Sequence, residues 1–405
     1  MSENLAMSEE LCEIEFIRSQ SDKPIIVFVR LFDEPGATIL AFPWRLEKRV
    51  TCTPPMMMDK SLSIEIVSGE PNEQVAAHIR PCASGAKILD RTIKQAQKYA
   101  RAFRNSLNPV QYADGAARIK PWPTPRACSP SCMVSIIIPT RDKAELLERA
   151  IKTLYEKCDW PNKELVVVDN GSIERETFDL FERIRALANV TIIRDEKPFN
   201  FSRLINVGGR AAKGDVLAIM NNDVETSHSD YIAPLLALAC DPKVGVVGPK
   251  LLFGDGLVQH AGIALGIRAL TGHPGVGRRA DDPGPYNILA TTRRVSAVTG
   301  ACMFTRRALF DHLGGFSEEY VVEFNDVDYC LRMAGLGLAV VYDANSVLIH
   351  NEGSSRRMRP LREQEVRDRQ KFVHQWGRYL IEDQYYPSDL TNRDESLSLA
   401  TVYDR

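Results

Sequence analysis

VSIIIPTRD, residues 134–142, is the stretch on which the fold turns. Val134–Ile138 is a nearly continuous apolar run, as a strand buried on both faces of a parallel sheet requires. Asp142 followed by Glu145 then reads as a capping box, and Leu146, Leu147, Ala150, Ile151 and Leu154 carry helical periodicity. The same alternation continues downstream. Leu165–Val168 is a second strand and Phe178, Phe181, Ile184 and Leu187 mark a second helix. Val190–Ile193 and Val216–Met220 are further strands, followed by a helix over Tyr231–Cys240 and a strand over Val244–Val247. Strand and helix in strict succession predict a mostly parallel sheet with helices on both faces.

Upstream the texture is different. Short apolar runs (Ile25–Val29, Ala37–Ala41, Leu62–Val67) separated by Asp-Glu-Pro-Gly and Gly-Glu-Pro-Asn predict a small β-rich module. Ile88, Ile93, Ala96, Tyr99, Ala100 and Phe103 give helical spacing over residues 84–107. Pro121, Pro123, Pro125 and Pro130 then resist both helix and strand. The chain accordingly divides into residues 1–130, the β-rich module with its helix and linker; 131–355, the α/β domain; and 356–405, an Arg-rich helix followed by a polar tail expected to fray.

A chain of 405 residues suits two domains, and 44% hydrophobic with 26% charged residues is the composition of an ordinary globular protein. A net charge of -2 gives no excess of cations for counterion release, so nucleic acid is not an expected partner. The nine cysteines are odd in number and irregularly spaced, which favours a reduced compartment. Cys128 and Cys132 lack a second Cys/His pair at matching distance, so a four-ligand zinc site is not expected there. No run approaches the ~20 apolar residues of a spanning helix, and Met1–Cys12 is acidic rather than signal-like. The expected location is cytoplasmic. Arg356, Arg357, Arg359 and Arg362 form the densest positive patch, a solvated helix start or a contact for lipid-linked phosphate at the inner membrane face.

Ligands of open parallel sheets gather at the carboxyl ends of strands. Those ends read Pro139-Thr140-Arg141-Asp142, Asp169-Asn170-Gly171-Ser172 and Asn221-Asn222-Asp223-Val224-Glu225. One such end is explained by turn formation; three that converge on one edge suit a polar ligand. Asn200 and Ser202 stand at a helix start, where N–H donors suit an anion. Gly208 and Gly209 permit either close backbone approach to a ligand or tight helix–sheet packing.

The ordered series VSIIIPTRD (134–142), ELVVVDNGS (164–172), NFSRLINVGGRAAKGD (200–215), NNDVE (221–225), TGACMFTRRALFDHLGGF (299–316), FNDVDYCLR (324–332) and LIHNEGSSR (348–356) resembles the family-two glycosyltransferases of the GT-A fold. The last three segments are similar to those of bacterial enzymes that build rhamnose-containing and other surface polysaccharides. The resemblance implies inverting transfer of a sugar from a UDP- or dTDP-sugar to a hydroxyl of a glycan or lipid-linked saccharide. It places the nucleotide against Pro139, Thr140, Arg141 and Asp169, with Asn200, Ser202, Asn221, Asn222 and Arg356 completing the donor site. It gives Mn2+ or Mg2+ as cofactor, held by Asp223 and His350, and Asp326 as the general base, with capping of its own helix as the alternative role. Three positions depart from the family pattern. Arg141 replaces Tyr, Asn221 replaces the first Asp of Asp-x-Asp, and Asn325 replaces the Glu of Glu-Asp. The latter two raise a rival reading, a catalytically impaired GT-A fold that binds glycan or a partner. Acceptor binding, dimerisation and docking to another transferase all stay open for residues 1–130.

Overall fold

The structure, a computed structural model, describes residues 119–351 and 362–400 throughout and, before residue 119, the backbone of seven strands. The helix expected over 84–107 and the residues Arg356, Arg357 and Arg359 lie outside the described residues. The early strands are β1 (Asn4–Leu5), β2 (Cys12–Arg18), β3 (Ile25–Asp33), β4 (Ala37–Leu46), β5 (Arg49–Cys52), β6 (Leu62–Ser68) and β7 (Val75–Pro81). They form two antiparallel sheets in the orders β1-β6-β3-β4 and β5-β2-β7. The apolar runs at 25, 37 and 62 are therefore strands, and β2 and β7 join them.

The α/β region opens with β8 (Val134–Thr140), α1 (Ala144–Ile151), β9 (Lys163–Asp169), α2 (Arg175–Ile184), β10 (Val190–Arg194), α3 (Phe201–Ala211) and β11 (Val216–Met220). β10, β9, β8 and β11 lie side by side and all run parallel. Next come β12 (Val224–Glu225), α4 (Ile232–Ala239), β13 (Val244–Leu252) and the short β14 (Val258–His260), β15 (Ala264–Leu265), β16 (Thr271–Gly272) and β17 (Arg293–Val295). β18 (Cys302–Arg306), α5 (Arg307–His312), α6 (Asn325–Gly335), β19 (Ala339–His350) and α7 (Glu363–Trp376) complete the order. The main sheet runs β10-β9-β8-β11-β18-β13-β19-β12; β18 is antiparallel to both neighbours, and β12 is antiparallel to β19. The expected mostly parallel, helix-covered α/β sheet is what the chain forms.

Alternation along the buried strands sorts side chains onto two faces. Val134, Ile136 and Ile138, with Leu165, Val167, Val216, Ala218 and Met220, pack against α1, α2 and α4. Ile137, Val166, Val168, Leu217 and Ile219 face the other way, onto α3, α6 and α7. Burial on both faces is what made these strands read as unbroken apolar runs.

Two local expectations change, and one alternative left open is decided. The first concerns Asp142, which does not cap α1: it sits in left-handed backbone (φ 54°), and its Oδ1 accepts from the N–H groups of Ile173 and Glu174, 2.7 and 2.9 Å away, at the start of α2. The N-cap of α1 is Lys143, which makes no side-chain cap. Gly208 and Gly209 serve packing. A Cβ on Gly208 would stand 2.4 Å from Ile137 Cγ2, and one on Gly209 2.6 Å from Phe310 Cε1. The polar tail is not frayed through residue 400. Tyr386, Leu390 and Leu397 are buried in the second face's core, and Ser396 O accepts from Arg278. A few apolar anchors dock a segment whose composition is polar.

Gly208→Ala tests that packing. Crowding a closed helix–sheet contact costs about 1–3 kcal/mol, so the urea midpoint is expected to fall with an unchanged slope. An unaltered midpoint would mean that the helix has room to move.

Candidate active site

The chain order reverses direction between β8 and β11: β8 leads outward to β9 and β10, and the chain then returns to lay β11 on β8's other side. Such a switch point opens a crevice at the strands' carboxyl ends. There Asn222 Nδ2 donates to Thr140 Oγ1 at 3.0 Å, and Asn170 N–H donates to the Thr140 carbonyl at 2.8 Å, so all three predicted strand ends meet. Pro139 is partly exposed and Arg141 exposed, at the rim of the same edge.

Asp169 is buried at 1% exposure, with Oδ1 accepting from Ser172 N–H at 2.9 Å and Oδ2 from Arg194 Nη1 at 2.7 Å. Arg194, at the end of β10, was not singled out from the sequence. A base donor meeting Asp169 therefore meets a carboxylate already neutralised. An open cleft of about 650 Å³ lies beside this pair, lined by Arg194, Asp195, Glu196, Lys197 and Val207.

Asn200 and Ser202 depart from the expected anion site. Asn200 caps α3, accepting from Arg203 N–H at 3.0 Å, and gives its Nδ2 to the Glu318 carbonyl at 2.7 Å. Ser202 is fully buried and donates to the Tyr320 carbonyl at 2.7 Å, while Phe201 N–H goes to the Val321 carbonyl. These donors are spent tying α3 to the segment that leads into α6. Nothing near residue 200 in the sequence announces partners more than a hundred positions away.

The strongest polar focus lies where β12 pairs with β19, Val224 opposite His350. His350 Nε2 stands 3.0 Å from Asp223 Oδ1 and 3.3 Å from Asn221 Nδ2. The other ring nitrogen fixes the tautomer. Gln259 Nε2 donates to the His350 carbonyl at 3.3 Å, which orients its Oε1 toward His350 Nδ1, 2.6 Å away. Nδ1 thus carries the proton, and in the neutral ring Nε2 presents a lone pair. Asp223 Oδ1 is itself buried without a hydrogen-bond donor. Two acceptors facing each other at 3.0 Å call for a cation or a proton between them. Two ligands at right angles on a six-coordinate ion with bonds of about 2.1 Å stand about 3 Å apart. The pair therefore fits a divalent metal, with Gln259 orienting the histidine from behind. Gln259 lies on the three-residue β14, which leaves almost no periodic signal.

Asp326 lies in the first turn of α6. Its Oδ2 accepts from Gly300 N–H and its Oδ1 from Val327 N–H, both at 2.8 Å. The N-cap is Phe324, in left-handed backbone and stacked on Phe372, so Asp326 is not the cap of its helix. Burial pushes its carboxyl above the usual carboxylate range, against the pull of those two N–H donors. The Ala301 carbonyl, next to Gly300, accepts from Asn221 N–H at 2.9 Å. One backbone step thus links Asp326 to the Asn221–Asp223 edge. Asp328 belongs to the frame: fully buried, it pairs with Arg332 at 2.8 Å and accepts from Trp376 Nε1 at 3.0 Å. Asn325 is buried and gives its Nδ2 to the Val322 carbonyl.

His260 and His273 were also missed. Gly262 N–H donates to His260 Nε2 at 3.3 Å, so His260 carries its proton on Nδ1 and offers it to His273 Nδ1, 3.0 Å away. Burial holds His260 well below the ordinary imidazole range, which keeps this ring neutral.

The carboxyl edge of a mostly parallel sheet thus brings together a switch-point crevice, the Asp223–His350 pair and a separate, partly buried carboxylate, a setting suited to a polar ligand. Residues 135–314 match the family model described as Glycosyl transferase family 2, and the chain carries a domain of that family. It is 36% identical over 253 residues to the uncharacterized protein y4gI of Sinorhizobium fredii, covering 62% of this chain and 28% of that one. Over 226 residues it is 38% identical to the O-antigen biosynthesis protein RfbC of Myxococcus xanthus, covering 55% of this chain and 18% of that one. Over 245 residues it is 23% identical to an N-acetylglucosaminyl-diphospho-decaprenol L-rhamnosyltransferase of Mycobacterium tuberculosis, covering 55% and 77%. The chain thus spans less than a third of the length of the first two relatives. The family match ends at Gly314, so the placing of Asp326 and His350 rests on this chain's own geometry. Among the described residues no helix is long and apolar enough to cross a membrane.

Asn200→Ala separates scaffold from ligand contact. Loss of the cap and the tether is expected to lower stability by about 1 kcal/mol while leaving nucleoside diphosphate affinity unchanged by calorimetry. A tenfold loss of affinity in a fully folded variant would return Asn200 to the donor site.

Proposed function

We propose that the domain is an inverting, metal-dependent glycosyltransferase, using a UDP- or dTDP-sugar and acting on a hydroxyl of a glycan or lipid-linked saccharide in surface-polysaccharide assembly. The observation that carries this reading is the facing of Asp223 Oδ1, a buried oxygen with no donor, and His350 Nε2 at 3.0 Å, whose lone pair meets only the Asn221 amide at 3.3 Å. The O-antigen and rhamnosyl names of two relatives support the pathway and the kind of acceptor.

Asp223 and His350 would hold Mn2+ or Mg2+, whose charge stabilises the diphosphate as the sugar departs. One carboxylate is enough when phosphate oxygens and water fill the remaining positions. Asn221 in place of an acidic residue adds no further charge to be neutralised, and its amide, 3.3 Å from His350 Nε2, would yield that lone pair to the ion. Thr140, Asn222, Asp169 and the exposed Arg141 border the crevice in which the nucleotide would lie. Asp326 takes the acceptor's proton. As the O–H bond breaks, the hydroxyl oxygen forms a bond to the anomeric carbon, and the bond from that carbon to the diphosphate oxygen breaks with its electron pair. The products are an inverted glycoside, a protonated Asp326 and a nucleoside diphosphate. A carboxyl raised by burial is a stronger base than an exposed one, as proton abstraction requires.

Two measurements test this. With a panel of UDP- and dTDP-sugars, Asp223→Ala is expected to abolish manganese-dependent donor binding. Gln259→Leu should weaken it about 10–100-fold by releasing the histidine. Turnover that persists unchanged in excess chelator would remove the metal.

Asp326→Asn is expected to preserve donor affinity and cut transfer about 10²–10⁴-fold. The base works only when ionised, and its raised pKa keeps it protonated at acidities where an ordinary Asp, near ~3.9, is already charged. In the wild type, kcat/KM should therefore fall on acidification from a pH above that ordinary range, and the residual activity of Asp326→Asn should lack this limb. Near-normal transfer by Asp326→Asn would give the proton to a different base, and absence of transfer by the wild type would favour the impaired, glycan-binding reading.

A further inference from the structure

The sequence pair Cys128 and Cys132 acquires a third member in the fold. Cys240, more than a hundred residues downstream, brings its Sγ to 3.1 Å from that of Cys128 and 3.9 Å from that of Cys132. All three sulfurs lie within 4.8 Å of one another, and each residue is partly exposed. The cluster lies at the amino-terminal edge of the sheet, where Cys132 leads into β8 and Cys240 ends α4. The crevice opens at the opposite, carboxyl edge, so the donor site has no use for these thiols.

From this juxtaposition we propose that Cys128, Cys132 and Cys240 form a zinc site that pins the segment entering β8 to the end of α4. A tetrahedral Zn2+ with Zn–S bonds of about 2.3 Å holds its sulfurs about 3.8 Å apart. The distances of 3.1 and 3.9 Å bracket that edge. A disulfide would use two of the three sulfurs and leave the third packed against it without a function, whereas one thiophilic cation uses all three. Each thiol that binds releases its proton to solvent.

The supports of the cluster are preorganised. Cys132 N–H returns to the Ser129 carbonyl at 2.9 Å, which curls residues 128–132 into a turn that turns both thiols the same way. Trp160 Nε1 donates to the Cys132 carbonyl at 2.9 Å and fixes that turn to the loop before β9. On the other side, Cys240 N–H closes the last turn of α4 onto Leu236, and Arg306 grips the carbonyls of Asp241 and Val244 just beyond. Two segments held this firmly from outside the cluster need only the ion to join them.

The purified full chain, wild type and variants, tests this by zinc content and by cobalt spectroscopy. Wild type and Asp223→Ala are expected to hold one zinc per chain, and Cys240→Ser none; retention in Asp223→Ala separates this ion from any bound at the Asp223–His350 pair. Cobalt-loaded wild type should show a thiolate-to-cobalt charge-transfer band that Cys128→Ser loses, which keeps the test intact should Cys240→Ser not fold. Sugar transfer by a folded Cys128→Ser should stay near wild type, while its thermal midpoint falls. The proposal is overturned if wild type carries no zinc and gives no cobalt band. It is equally overturned if peptide mapping of the unreduced protein finds a Cys128–Cys240 disulfide.

Discussion

The pairing of Val224 with His350 is the contact on which the site depends. β12 is two residues long, and its partners are the last two residues of β19. Asn351 N–H donates to the Asp223 carbonyl at 2.9 Å, extending the pairing by one rung. This register sets a histidine nitrogen against a carboxylate oxygen that has no donor of its own. Leaving a buried acceptor unmatched costs free energy, so something else must maintain the arrangement. The long β13–β19 ladder does so, fixing the end of β19 through registers from Val244–Ala339 to Leu252–Ile349. Gln259, on β14, which pairs with β13, then locks the ring. The fold's stable sheet holds the unfavourable pair in place.

That dependence explains which features could be seen in the sequence. Strands β8, β9 and β11 were legible because both faces are buried, and burial on both faces writes itself as consecutive apolar residues. The strand-end polar groups followed, since a parallel sheet gathers them at one edge. Asp223, His350 and Asp326 came from motif resemblance, and the structure sets each in surroundings that suit its proposed role. Asn200 and Ser202 misled because a helix start looks alike whether its donors face a ligand or a distant loop. Gln259, Arg194 and His260 sit on short or edge elements, and His273 just past one, where neither period 2 nor period 3.6 has length to develop. Cys240 could be joined to Cys128 only by the fold.

Asp142 shows the same limit at close range. Asp followed three positions later by Glu fits a capping box for α1, yet the carboxylate turns across to α2 and takes two N–H groups there. The turn after β8 runs in left-handed backbone at both Asp142 and Lys143. That conformation, disfavoured for side-chain-bearing residues, swings the carboxylate toward the neighbouring loop at 172–174. Asp142 N–H donates to Ser172 Oγ at 2.7 Å, closing the exchange. The two strand-end loops thus brace each other beside Asp169, and the crevice rim gains a rigidity that neither loop has alone.

The site's two proposed working carboxylates are kept apart by their surroundings. Asp223 faces a lone pair and needs positive charge; Asp326 faces two backbone N–H groups inside a crowded, poorly solvated turn. An exposed carboxylate would be a weaker base, and one beside a cation weaker still, because both conditions favour the charged form. Separating the cation-binding carboxylate from the proton-accepting one lets each meet its own requirement. The Gly300–Ala301 step is what permits both. Its N–H steadies Asp326 and its carbonyl steadies Asn221. At Gly300 a Cβ would stand 3.3 Å from Phe201 Cε1 and 3.4 Å from Asp326 Cβ. A larger residue there would press on the base and, through Ala301, on the metal edge. The same glycine therefore sets the base's position and, one peptide further on, the loop that carries Asp223.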